Sequence, residues 1–93
     1  RCSSDLYAAV CQLKKDYQKA FDMYHICLML SPDNDFSLVY YMGQCQMGLK
    51  NTKMATELFN TVVTYSQNEK VKEMATAYLE LLTANTEEEV QTE

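Results

Sequence analysis

Apolar positions along this chain recur at intervals of three and four, the spacing of helices that each bury one stripe. Leu6, Tyr7, Val10, Cys11 and Leu13 form the first stripe and predict a helix over about residues 4–14. Asp16 then stands where an N-cap belongs, and Ala20, Tyr24, Cys27 and Leu28 mark a second helix reaching residue 30. Ser31-Pro32-Asp33-Asn34 is the one strong breaker cluster. Beyond it, Val39, Met42, Gly43 and Cys45 carry a third helix from about residue 35 to the turn Gly48-Leu49-Lys50-Asn51. A fourth follows from Thr52, with Ala55, Leu58, Phe59, Val62 and Val63 as its stripe. The run Thr61-Val62-Val63-Thr64-Tyr65 has strand composition, yet its apolar residues keep the helical interval, so a helix is expected there too. Ser66-Gln67-Asn68-Glu69 reads as a capping box that opens a fifth helix. Its stripe is Val71, Met74, Ala75, Tyr78, Leu81 and Leu82, with Lys70, Lys72, Glu73 and Glu80 facing outward.

The five stripes are not independent. Shifted by 35 residues, Ala8 falls on Gly43, Val10 on Cys45, Ala20 on Ala55, Tyr24 on Phe59, Cys27 on Val62 and Leu28 on Val63. Size class is kept at each match. Such a period means stacked helical pairs, each closing its neighbour's core. The expected fold is therefore all-α, a superhelix of two helical hairpins plus a C-terminal capping helix. The boundaries are 1–34 and 35–67 for the repeats, 68–82 for the cap, and 83–93 for an acidic tail expected to be disordered.

Composition narrows the function classes. Gly and Pro together are 3 of 93 residues, too few for a turn-rich β fold. The net charge of −5 is concentrated in the glutamates of the tail, leaving residues 1–82 near neutral. The cations are scattered, which argues against nucleic-acid binding. No apolar run approaches the ~20 residues of a membrane-spanning helix. Cys2, Cys11, Cys27 and Cys45 show no paired spacing; the last three lie in helical apolar patterns and read as reduced core thiols, which implies a reducing cytosol. His25 is the sole histidine, and no nucleophile motif, carboxylate pair or metal-ligand spacing accompanies it. An enzyme is not expected, nor a cofactor or metal.

The small residues Ala8 and Ala20, the aromatics Tyr17 and Tyr24, Cys27 and then Pro32 resemble the tetratricopeptide repeat. Ser4 occupies that repeat's usual large apolar position, and the second unit matches at Gly43, Ala55 and Phe59 but has Gln67 where proline is usual. A narrower resemblance rests on Ala8-Ala9-Val10-Cys11-Gln12-Leu13-Lys14-Lys15, on Gln18-Lys19-Ala20 with Asp22 and Tyr24, and on Gly43-Gln44-Cys45-Gln46. Asn68-Glu69-Lys70, Ala77-Tyr78-Leu79 and the glutamate-rich end extend it. These strings are similar to the class II chaperones of bacterial type III secretion, in the SicA/IpgC branch related to LcrH/SycD, over about residues 5–90. The resemblance implies a cytoplasmic chaperone of the bacterium. Its clients would be the hydrophobic translocator proteins, each held as an extended segment before secretion, and a second role would be co-activation of an AraC-type transcription regulator. Family members homodimerise through an N-terminal region that precedes the matched part. The chain is accordingly expected to be a truncated piece or proteolytic core of a longer protein.

In a stack of this kind the first helix of each pair lines the concave side. The groove residues expected from helical spacing are Cys2, Asp5, Ala9 and Gln12 in the first unit, with Ser37, Tyr40, Gln44 and Met47 in the second. Ala9 leaves room for a client side chain, Tyr40 and Met47 offer adaptable apolar contact, and Gln12 and Gln44 could pair with a client backbone. Tyr41 and Phe36 are expected to be packing residues. A module that clamps an acidic C-terminus would need cations converging on the groove, and these positions have none. The alternative is a generic repeat scaffold joining protein partners through its outer helices, where Lys19 and Lys53 lie.

Overall fold

A computed structural model describes residues 3–30 and 36–92, with side chains over 6–30 and 36–84. Five helices run in order: α1 (Ser3–Leu13), α2 (Tyr17–Leu30), α3 (Ser37–Gly48), α4 (Thr52–Tyr65) and α5 (Glu69–Thr92). Among the described residues there is no strand, and the strand-like run at 61–65 completes α4. Each helix packs on the next, and α5 also reaches back to α3. The result is an elongated slab of 44 × 29 × 18 Å.

Two core clusters hold the stack together. Ala8, Cys11, Ala20, Tyr24, Met42 and Cys45 form the first, between the α1–α2 hairpin and α3. Val39, Tyr40, Ala55, Phe59, Val62, Val71, Ala75 and Leu82 form the second, between α3, α4 and α5. Leu28 and Leu58 pack against both. The middle helix α3 is thus buried on two sides, while each hairpin's core is completed by the next helix.

The repeat symmetry extends to the backbone. Lys15 and Lys50 both adopt φ 65°, in the left-handed region. At each turn the same two bonds close the helix: Lys15 N–H donates to the Gln12 carbonyl and Asp16 N–H to that of Cys11, while Lys50 donates to Met47 and Asn51 to Gln46. This is the Schellman arrangement. Asn51 then caps α4, its side chain accepting from Met54 N–H at 3.4 Å.

Several expectations are corrected. On α1 the buried residues are the small ones, Ala8 and Cys11, whereas Leu6 and Leu13 are 74% and 84% exposed and Val10 and Tyr7 nearly half so. Close approach to α2 selects small side chains on one face, and the larger apolar residues stand at its margins, Tyr7 beneath the Lys19 ammonium of α2 and Leu13 at the rim of a cavity shared with α3. The cap of α5 is Asn68, whose Oδ1 accepts from Lys70 and Val71 N–H, while Ser66 Oγ accepts from Asn68 N–H. Glu69 is therefore the first helical residue and not the third. The helix also continues to Thr92, where a break after Leu82 and a disordered tail were expected; residues 83–92 contain no Gly or Pro to stop it. Cys11 and Cys45 are free, buried thiols as expected, but Cys27 is disulfide-bonded. That disulfide overturns the expectation of a reduced Cys27 and removes the support the cysteines gave to a reducing compartment. Cys2, the side chains of Ser4 and Asp5, and the turn at 31–35 lie outside the described residues.

Candidate functional site: a tyrosine-walled cavity

Side chains of α1 and α3 meet at Gln12 and Gln44, and the turn-facing ends of both helices open onto a common cavity of about 720 Å³. From α1 come Ala9, Gln12 and Leu13; from α3, Tyr41, Gln44, Met47 and Gly48. The second helix of the first hairpin adds Tyr17 and Tyr24, and α5 adds Tyr78. Four phenol rings therefore wall a space whose remaining surface is mostly aliphatic. Gly48 sets its width at one end: a Cβ there would lie 2.5 Å from the Tyr17 ring, so only glycine lets the ring lie flat on α3.

The polar groups of the floor are engaged with one another. Tyr24 OH donates to Gln12 Oε1 at 3.1 Å, and Gln12 Nε2 donates to Gln44 Oε1 at 2.7 Å. Gln44 Nε2 in turn donates to Tyr40 OH at 3.0 Å and to Tyr78 OH at 3.3 Å. One ladder crosses α2, α1, α3 and α5. Its aromatic members also pack: Tyr24 stacks on Tyr41 with centroids 5.4 Å apart, and Tyr78 lies parallel to Phe59 at 5.0 Å. Burial, followed by the neighbouring Tyr78, holds the Tyr40 phenol above its ordinary value, so it stays a neutral hydroxyl.

The expected groove residues divide. Ala9, Gln12, Gln44 and Met47 line the cavity. Tyr40 does not; it is 6% exposed and sits in the second core cluster against Phe59, because its place on α3 faces the α4–α5 side. Tyr41, expected to be packing, takes the cavity position at 37% exposure. Ser37 is half-buried at the start of α3 and is not part of the lining. Asp5 falls in α1 with its side chain outside the described set, and Cys2 lies outside it altogether. Tyr17, Tyr24 and Tyr78 were missed. Tyr17 and Tyr24 belong to a second helix and Tyr78 to the cap, and a rule confined to first helices cannot reach them.

Cys45 is pushed up to about 11 by burial and by Cys11, which keeps it a thiol and removes it as a nucleophile. Among the described residues no group of His, Cys, Asp and Glu could hold a metal ion. No helix of the described part is long and apolar enough to cross a membrane.

Comparison with known proteins agrees with this architecture. Residues 6–34 match the tetratricopeptide repeat family model. The uncharacterized protein YgeG of Escherichia coli K12 is 43% identical over 82 residues, covering 88% of this chain and 50% of YgeG. Chaperone protein SicA of Salmonella typhimurium, like that of Salmonella dublin, is 42% identical over 82 residues, covering 87% of this chain and 49% of its own length. The chain spans about half the length of the curated relatives it matches. Residues 6–34 thus carry a tetratricopeptide repeat, and over most of its own length the chain is similar to the SicA chaperones.

Proposed function

We propose that this chain forms the client-holding part of a type III secretion chaperone, acting in the bacterial cytoplasm on the hydrophobic translocator proteins. An extended translocator segment lies along the concave side and places an apolar side chain in the tyrosine-walled cavity. The observation that carries this reading is the cavity itself: about 720 Å³, open between α1 and α3, apolar on its walls and internally hydrogen-bonded on its floor. Ordering a flexible segment costs several kcal/mol, and burying apolar anchors there offsets that cost. Held in this way, the translocator is kept from premature association. Co-activation of an AraC-type regulator belongs to the same reading through the resemblance, as a role taken up once clients have left, and homodimerisation would involve sequence outside the matched part.

The test is co-purification of the tagged chain from a secretion-competent bacterium under non-secreting conditions, followed by titration with a synthetic peptide of the captured translocator segment. Ala9→Glu places a charged group in the cavity and is expected to weaken the peptide by at least about tenfold, or roughly 1.4 kcal/mol, with helical circular dichroism unchanged. Tyr40→Ala, attractive from sequence alone, tests the core instead. Binding that survives Ala9→Glu but is lost in Lys19→Glu or Lys53→Glu would mean a scaffold working through its outer helices.

A further inference from the structure

The sequence assigns Gln12 and Gln44 to the client backbone; the geometry points elsewhere. A glutamine has one carbonyl and two amide hydrogens. Gln44 spends its carbonyl on Gln12 and its amide nitrogen on two phenol oxygens, Tyr40 and Tyr78. Gln12 spends its carbonyl on Tyr24 and an amide hydrogen on Gln44. These groups are already committed within the chain. The two phenols that accept from Gln44 also hydrogen-bond each other, Tyr40 donating to Tyr78; with the Tyr40 hydrogen spent there, Tyr78, the one of the two that lines the cavity, keeps its own O–H hydrogen.

Among the described residues, Tyr78 is also the sole cavity residue supplied by α5. That helix packs mainly on α4 and touches α3 lightly. The ring of Tyr78 is fixed on one side by the stack on Phe59 and met by Tyr40 at 5.9 Å; its hydroxyl is fixed by Gln44. We infer that Gln44 is a positioning residue that seats Tyr78, and through it α5, as a wall of the client cavity, with the Tyr78 hydroxyl hydrogen directed to a client carbonyl. This inference rests on the client reading above. It makes α5 part of the binding site as well as the end of the stack. Client occupancy and the seating of α5 then stabilise each other, since each favours the same arrangement.

Three variants separate the parts. Gln44→Leu removes the whole ladder junction. Tyr78→Phe removes only the hydroxyl. Gln44→Glu still accepts from Gln12 and holds the phenols, but as an acceptor it turns their hydrogens inward, away from the client. The first readout needs no client: amide hydrogen exchange along α5 in the free chain, which reports local opening. Gln44→Leu and Tyr78→Phe are each expected to speed α5 exchange by about five- to tenfold, with α1 and α2 unchanged, and the double variant to be no faster than the faster single one. Gln44→Glu should keep α5 protected. The second readout is affinity for the synthetic translocator peptide, expected to fall about five- to tenfold in all three variants, Gln44→Glu included. A merely structural glutamine would lose affinity only where α5 protection is lost.

Exchange in α5 that stays within about twofold of wild type in Gln44→Leu, or effects of Gln44→Leu and Tyr78→Phe that simply add, would overturn the inference whether or not the peptide binds. Full affinity in Gln44→Glu would overturn the donor role of Tyr78. A peptide that fails to bind the unaltered chain would instead overturn the client reading, leaving α5 exchange to decide the positioning role.

Discussion

Two glycines on α3 would answer differently to the same added methyl. At Gly43 a Cβ would lie 2.8 Å from the ring of Phe59, which is fully buried and cannot yield. Gly43→Ala is therefore expected to destabilise the fold by about 1–3 kcal/mol, read from urea unfolding. At Gly48 the obstacle is Tyr17, half-buried at the mouth of the cavity, whose ring meets an added Cβ along its near edge, Cγ at 2.6 Å included, so that the whole side chain would have to move. Gly48→Ala is therefore also expected to lower stability, by less than Gly43→Ala because Tyr17 is only half-buried, while client affinity falls because a cavity wall has moved. The role of Gly43 was legible from its alignment with Ala8 under the repeat shift. That of Gly48 was not, because it read as a turn residue and its partner ring comes from the other hairpin. Cys45 makes a separate test by pH. Its thiol is raised to about 11 in the fold against about 9 unfolded, so the unfolded state gains thiolate first. The stabilisation is complete below about pH 9 and is lost as pH climbs toward about 11. Thermal unfolding should fall over that window in the wild type and less steeply in Cys45→Ala; equal slopes would contradict the burial of this thiol.

At the scale of elements, the repeat is carried by its turns as much as by its stripes. Lys15 and Lys50 hold left-handed backbone where glycine is usual. Lys50→Gly should therefore stabilise the chain by about 0.5–1 kcal/mol, the relief of side-chain strain exceeding the added freedom of the unfolded chain. A lower unfolding midpoint in that variant would argue that the lysine side chain holds the turn. Helix existence and type were readable throughout, since the 3.6-residue spacing outweighs the strand composition at 61–65. Which face is buried was less readable at the edge. Leu6, Val10 and Leu13 satisfy the spacing rule, yet they occupy the positions that Tyr41, Cys45 and Gly48 hold on α3, where the first hairpin seats. Periodicity identifies an apolar face and is silent on whether a neighbour exists to cover it. The start of α5 was misplaced for a local reason: Ser66, read as its N-cap, is the C-cap of α4, its N–H donating to the Val62 carbonyl, and Asn68 caps α5 instead.

For the whole molecule, the stack of hairpins follows from the 35-residue repeat, and four of the expected groove residues, Ala9, Gln12, Gln44 and Met47, line one cavity. The substitution of Tyr41 for Tyr40, and the entry of Tyr17, Tyr24 and Tyr78, depend on the rotation of α3 between two cores and on where α5 crosses back. Those are properties of the assembled chain, invisible to a helix read singly. The central claim, that the tyrosine-walled cavity is where an extended translocator segment lies, is tested most directly by site-specific photo-crosslinking. A photoreactive residue replacing Met47 in the cavity, and another replacing Lys53 on α4, would be irradiated in the presence of the co-purified translocator. The account predicts a crosslink to the translocator from position 47 and none from position 53; a crosslink from 53 alone, or equal yields from both, would contradict it.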